Sequence, residues 1–332
     1  MEELNAPAQS QDTLERALFE IKRVIAGQDT MLERVLVCLL ADGHLLIEGV
    51  PGLAKTLTIK TTAQVLGGTF NRIQFTPDLM PSDLVGTRIY RPKNGEFDVE
   101  LGPVFCNFLL ADEINRAPAK VQSALLEVMQ ERQVTIGKES FAAPSPFLVM
   151  ATQNPIESEG TYPLPEAQVD RFMLKVVVDY PEAEDELTVV ERSLAGMAEV
   201  RQILELDELE GLRAAARSVY VDPALARYAV QIASATRDPA SVGLAELAQY
   251  VAFGASPRGP ISMMIAARAL ALIRGRDYVL PQDVRELARD ALHHRIVLSY
   301  EALAAEVEAG SIVDSVLETV PVPEIDLGER AA

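Results

Sequence analysis

The chain has 332 residues, 30 of them basic and 49 acidic, for a formal net charge of −19. Ordinary Gly and Pro usage (19 and 20 residues) excludes collagen-like and low-complexity architectures, and the length suggests about two domains. No apolar run reaches the roughly 18 residues of a membrane span. An acidic balance this strong also opposes a long phosphate-tracking surface, so nucleic acid is not an expected partner.

Residues 1–11 read as a flexible polar end without the basic and apolar stretches of a secretory signal, in keeping with a cytoplasmic protein. Leu14, Leu18, Ile21, Val24 and Ile25 recur at helical spacing up to a break at Gly27. A second helix is expected over 30–40, burying Leu32, Val35, Leu36 and Leu39. The apolar run 44–48 ends at Gly49 and reads as a buried strand. A helix follows from Lys55 to about Leu66, stopped by Gly67 and Gly68. Similar runs at 70–73, 108–111, 148–152 and 173–178, separated mostly by helical stretches such as 118–131, predict a parallel sheet covered on both faces.

Two inserts interrupt the alternation. Residues 87–101 surround the turn Pro92-Lys93-Asn94-Gly95, with Phe97, Val99 and Leu101 on one side, and residues 133–141 surround Gly137-Lys138-Glu139; both predict hairpins. Beyond Pro181 the strand signal stops. The Ala-, Leu-, Glu- and Arg-rich remainder predicts a separate helical domain over 182–318, then an irregular tail over 319–332.

Gly49-Val50-Pro51-Gly52-Leu53-Ala54-Lys55-Thr56 joins that first strand to the helix, the setting a phosphate loop requires. Backbone N–H groups at a helix N-terminus attract phosphate oxygens, Lys55 brings a point charge, and the Thr56 hydroxyl is a Mg²⁺ ligand. Candidate nucleotide-binding residues are therefore Gly49, Pro51, Gly52, Leu53, Ala54, Lys55, Thr56 and Leu57, with Ala54 where the strict pattern has glycine. The strand 108–111 runs into Asp112 and Glu113, the first suited to support Mg²⁺ through water and the second to activate a water. Asn154 follows the next strand and is a candidate γ-phosphate sensor. Arg171 precedes the last strand and is a candidate for stabilising transition-state charge on a neighbouring subunit, with Arg116 as its rival. Ser256-Pro257 reads as an N-cap with Pro at the first helical position, which puts Arg258 in a first turn where a cation opposes the dipole; an external phosphate would compensate it.

Cys38 and Cys106 sit in apolar contexts that suit a reducing compartment. Three histidines are too few and scattered for a metal cage; His293 and His294 read as cations closing the helix from Pro281. Met197, Met263 and Met264 read as core filler, and Glu205, Asp207, Glu208 and Glu210 as a solvated face. Tyr90, Arg91 and Lys93 near the first hairpin's tip are equally readable as a client contact or an exposed turn.

Taken together, Val24-Ile25-Ala26-Gly27-Gln28, the loop 49–56, Arg72-Ile73-Gln74-Phe75-Thr76-Pro77-Asp78-Leu79, Ala111-Asp112-Glu113-Ile114-Asn115-Arg116-Ala117, Ala151-Thr152-Gln153-Asn154-Pro155, the segment 164–172 and Gly254-Ala255-Ser256-Pro257-Arg258 resemble the MoxR family of AAA+ ATPases over residues 12–318. The resemblance implies an α/β fold: a P-loop NTPase αβα sandwich with a parallel five-stranded sheet and hairpin inserts (12–181), followed by an all-α lid. It implies ATP and Mg²⁺ as cofactors, with Ile25, Gly27 and Gln28 lining the adenine, and ATP hydrolysis in a ring of identical subunits, commonly a hexamer. Arg258 becomes a lid sensor acting on its own or a neighbour's nucleotide. A chaperone-like role in maturing a client complex, including metal-cofactor insertion, and a partner with a von Willebrand factor A domain are further implications. The alternatives are a magnesium-chelatase-like motor subunit and a nucleic-acid motor, the latter disfavoured by the few basic residues on the hairpins (Arg91, Lys93 and Lys138).

Overall fold

The computed structural model describes residues 6–50, 52–92, 96–155, 160–196 and 198–325, the first four of them by backbone alone. Pro51, Met197 and the turn residues Lys93, Asn94 and Gly95 lie outside the described residues, as does the tail from residue 326.

Helix α1 (Ala6–Lys22) starts inside the segment expected to be a flexible end, which corrects that expectation from residue 6 onward. Ala and Gln supply helix propensity there without any apolar period to announce it. Gln11 lies against Gly275, where a Cβ would come 1.9 Å from its Oε1. After the left-handed residues Gly27 and Gln28, α2 (Asp29–Leu40) buries Met31, Leu32, Val35, Leu36 and Leu39. Strand β1 (Leu45–Glu48) leads into α3 (Lys55–Val65), β2 (Phe70–Gln74) and the short α4 (Pro81–Val85). The first hairpin is β3 (Gly86–Arg91) with β4 (Glu96–Leu101), followed by β5 (Phe108–Asp112) and α5 (Ala119–Glu131). The second is β6 (Gln133–Ile136) with β7 (Glu139–Ala142); then come β8 (Leu148–Gln153), α6 (Glu166–Val169) and β9 (Leu174–Val177).

The sheet has the order β2-β5-β8-β1-β9, with β2/β5, β5/β8 and β8/β1 parallel. Its central strands are buried on both faces, so Leu45–Ile47, Phe108–Ala111 and Leu148–Ala151 are almost wholly apolar. This order places the carboxyl ends of β5, β8 and β1 side by side. Parallel strands bind ligands at that end.

Both hairpins pair antiparallel in the expected places. Tyr90 faces Phe97 across the first, their ring centroids 5.2 Å apart and both rings exposed. Its base is a tight neck: a Cβ on Gly86 would lie 2.2 Å from the Glu100 carbonyl oxygen, and one on Gly102 would lie 2.1 Å from that of Leu84.

Helices α7 (Ala183–Ala195), α8 (Leu206–Ser218), α9 (Pro223–Arg237), α10 (Arg258–Ile273), α11 (Pro281–Leu292), α12 (Tyr300–Ala304) and α13 (Ala309–Thr319) complete the chain. Two compact units result. One holds residues 15–171 and 176–210; the other holds the described residues up to 14, residues 172–175, and the chain from Gly211 onward. The second unit thus takes over later in the chain than the composition change near 182. Its core is built from Leu225, Tyr228, Ile232, Met263, Leu270, Val284, Leu287 and Val316. It also carries an antiparallel ribbon of β10 (Val251–Phe253) and β11 (Val297–Leu298), corrected from an expectation of helices alone; strands of two or three residues show no alternation to read.

His294 corrects the reading of a cation at the end of α11. It lies in a 3₁₀ turn beyond that helix, and burial, with Arg295, His293 and Lys175 nearby, holds its pKa well below the usual histidine value. His44 is satisfied on both nitrogens: Nδ1 accepts from Val149 N at 3.1 Å, so Nε2 donates to the Met129 carbonyl at 3.2 Å.

Candidate active site

The loop after β1 is shaped by two glycines with different work. At Gly49 a Cβ would come 2.6 Å from the Val178 carbonyl oxygen, while Gly52 takes φ +92 with open space around it. Ala54, where a phosphate loop usually has glycine, also adopts the left-handed conformation (φ 54, ψ 16), at a cost of roughly 1–2 kcal/mol. Lys55 Nζ donates to the Gly49 carbonyl at 2.7 Å. Half-burial lowers the Lys55 pKa, opposed by the charges of Asp112 and Glu113.

Leu53, Ala54, Lys55, Thr56, Leu57, Asp112, Glu113 and Asn154 line one cavity of about 380 Å³, together with Gly52, Arg72, Gln74, Thr152 and Gln153. Asn154, just past β8, is buried between the loop after β1 and the acids at the end of β5 because β8 lies between those strands. Glu113 is itself left-handed (φ 56, ψ 50), a conformation a glutamate holds only under constraint from its surroundings.

A network ties the acids down. Asp112 Oδ1 accepts from the Thr152 hydroxyl at 2.6 Å, and Thr152 Oγ1 in turn accepts from Glu113 N at 2.9 Å. Asp112 Oδ2 accepts from Arg72 Nη2 at 2.5 Å and Nε at 3.1 Å. Arg72 Nη2 also donates to Gln74 Oε1, and Gln74 Nε2 donates to Glu113 Oε2, each at 2.9 Å. Arg116 Nε pairs with that same Glu113 oxygen at 2.9 Å. The sequence reading assigned no role to Arg72, Gln74 or Thr152. Their signal is position alone: Arg72 and Gln74 lie two apart on β2 and so share a face, on a strand whose other residues are Phe70, Asn71 and Ile73.

A second cavity of about 220 Å³ shares Ala54 and Leu57 with the first and is lined by Val24, Ile25, Ala26, Val189 and Ala198 with Arg23, Arg192 and Ser193, a largely apolar slot beside a polar one. Gly27 and Gln28 are not among its lining residues; Gln28 Nε2 donates to the Asp179 carbonyl at 2.9 Å. Arg171 is apart from the acids. It donates to the Leu126 carbonyl at 3.1 Å and borders another cavity, with Ser123, Glu127 and Gln168. Arg258 belongs to the helical unit at the start of α10, one residue later than the expected helix start, although Ser256 Oγ still accepts from Arg258 N at 3.2 Å. The donor set fits a hard divalent ion, since the Thr56 hydroxyl and the Asp112 carboxylate face one cavity and a guanidinium already stands against that carboxylate. Among the described residues no cluster of His, Cys, Asp and Glu forms a separate metal site.

A sheet in this strand order, with an anion cradle between its β1 and the following helix, is that of a P-loop ATPase of the AAA+ class. Residues 44–174 match the ATPase family associated with various cellular activities (AAA), and residues 245–316 match the AAA lid domain. The chaperone MoxR1 of Mycobacterium tuberculosis is 58% identical over 314 residues, covering 95% of this chain and 83% of that protein. The protein MoxR of Paracoccus denitrificans is 37% identical over 320 residues, covering 90% and 93%. A crystal structure from Cytophaga hutchinsonii assigned as an ATPase superposes with a TM-score of 0.91 at 46% identity, covering 98% of this chain and all of that one. The 38 kDa magnesium-chelatase subunit of Cereibacter sphaeroides is more distant, 28% identical over 193 residues. The chain belongs to the MoxR family of AAA+ ATPases.

Proposed function

We propose that the chain binds Mg·ATP in the 380 Å³ cavity and uses its hydrolysis to remodel or mature a partner protein complex, as a chaperone-like machine. The observation that carries this is the convergence of Lys55, Thr56, Asp112, Glu113 and Asn154 on that one cavity, with a largely apolar slot for the base next to it. Lys55 leaves the Gly49 carbonyl for the β/γ-phosphates, and the N-terminus of α3 receives their oxygens. Mg²⁺, when bound, neutralises phosphate charge; Thr56 and Asp112 hold it. Glu113 orients and deprotonates the attacking water, and Asn154 hydrogen-bonds the γ-phosphate.

Arg171 acts on a neighbouring subunit's nucleotide in a ring, taken as a hexamer. Its separation from its own subunit's cavity supports this role over Arg116, which is engaged with Glu113 of the same chain. Arg258 senses phosphate from the helical unit. The name of the M. tuberculosis relative supports the chaperone reading. Family resemblance supports a cytoplasmic setting and a partner with a von Willebrand factor A domain. Titration with a fluorescent ATP analogue tests the core of the proposal. Wild type binds in the presence of Mg²⁺ and Lys55→Ala loses at least tenfold in affinity; equal binding by the two would overturn it.

A further inference from the structure

The Arg72 side chain stands outside the apolar core of the sheet. It projects from β2 and is 47% exposed, while that of Asp112 is 15% exposed. Two nitrogens of Arg72, Nε and Nη2, converge on a single oxygen, Asp112 Oδ2, while Oδ1 is taken by the Thr152 hydroxyl. Oδ2 is therefore the oxygen Asp112 has left to offer a metal or its water shell, and a cation already holds it. Arg72 is the half-exposed member of the pair and lines the cavity, so its guanidinium has room to leave Oδ2 while Thr152 keeps Asp112 in place.

We propose that Arg72 is a positioning residue that serves as an internal counter-ion for Asp112, occupying its metal-facing oxygen until a divalent cation enters with nucleotide. The assignment rests on the nucleotide reading of the cavity. Arg72 keeps the acid charge-compensated and its carboxylate oriented in the empty site, and it must swing away from Oδ2 before that oxygen can serve a metal. Because Arg72 itself lines the cavity, the displaced guanidinium stays beside the bound phosphates. Arg72 thus sets a threshold for metal capture: divalent cation alone competes poorly, and cation accompanied by phosphate charge competes well.

The measurement is Mn²⁺ affinity by electron paramagnetic resonance on the full chain saturated with ADP, in wild type, Arg72→Met, Asp112→Asn and the double variant. Arg72→Met should lower the Mn²⁺ dissociation constant at least threefold, whereas the same change in the Asp112→Asn background should have no effect. An unchanged or higher constant in Arg72→Met overturns the proposal. So does an equal decrease in the Asp112→Asn background, which would reflect general charge removal. Failure of the wild type to bind ADP at all would instead bring down the nucleotide reading. Normal ADP and Mn²⁺ binding with an indistinguishable Arg72→Met variant would remove this inference alone.

Discussion

Among the described aspartates held by arginines, Asp283 and Asp112 are the least exposed, and their surroundings give them opposite meanings. Asp283 in the helical unit is 1% exposed; Arg276 donates to both of its oxygens at 2.8 and 2.7 Å, Arg274 approaches at 3.4 Å, and Leu280 N adds a cap for α11 at 2.8 Å. Each oxygen faces a partner fixed by packing, so this carboxylate closes a structure. Asp112 accepts from the Thr152 hydroxyl and from Arg72 Nε and Nη2, yet both residues line a cavity and the strained Glu113 stands next to it. The same ion-pair chemistry locks when it is sealed and switches when it borders open space. Burial and the adjoining void, rather than residue type, separate the two.

The contrast predicts opposite readouts. Glu113→Gln keeps volume and an acceptor for Gln74 and Arg116 but removes the base, so turnover should fall about 10²–10⁴-fold. Thermal unfolding of that variant should match wild type; a large drop in stability would place Glu113 with the structural acids. Asp283→Ala should cost the helical unit about 3–5 kcal/mol by stranding Arg276, read by calorimetry. A loss below about 1 kcal/mol would show that the sealed pair is dispensable.

Acid should weaken the helical unit too. The unfolded chain takes up a proton near the ordinary histidine pKa of 6.5 that buried His294 refuses. Stability present above that pH is therefore lost as pH falls through it. Melting at pH 7.5 and 5.5 should show a smaller acid-induced drop in His294→Gln than in wild type, and an identical drop would clear His294. The smallest effect is expected at Ala54→Gly. Relief of the left-handed strain outweighs the flexibility gained by the unfolded chain, for a net stabilisation of about 0.5–1 kcal/mol by denaturant titration. A destabilised variant would mean that Ala54 is held by contacts rather than strained.

Much of this was legible from sequence, for physical reasons. The strand ends at Glu48, Asp112 and Gln153 fall within a residue or two of the expected ends, because buried strands must be apolar and stop where polar chemistry begins. Lys55, Asp112 and Glu113 stand out in the sequence because each follows an apolar strand run, Lys55 after the glycine loop that follows β1 and the two acids at the end of β5, and the structure brings all three to one cavity. The Arg72–Gln74–Glu113 relay was hidden, since it depends on register: Gln74 pairs with Asp112 across two strands far apart in the chain. The left-handed torsions of Ala54 and Glu113 were equally invisible, as neither residue type advertises them. His294 misled because adjacency to a helix end suggests a charge, while burial decides whether the charge exists.

The glycine neck of the first hairpin has a mechanical consequence. With Gly86 and Gly102 meeting at backbone distance, α4 and the two hairpin strands leave no slack between them, so the ribbon behaves as an oar fixed in its lock rather than a hanging strap. Any tilt of α4 would therefore pass directly into the ribbon, and Tyr90 and Phe97, paired across it far from this base, would be displaced more than the residues at the neck.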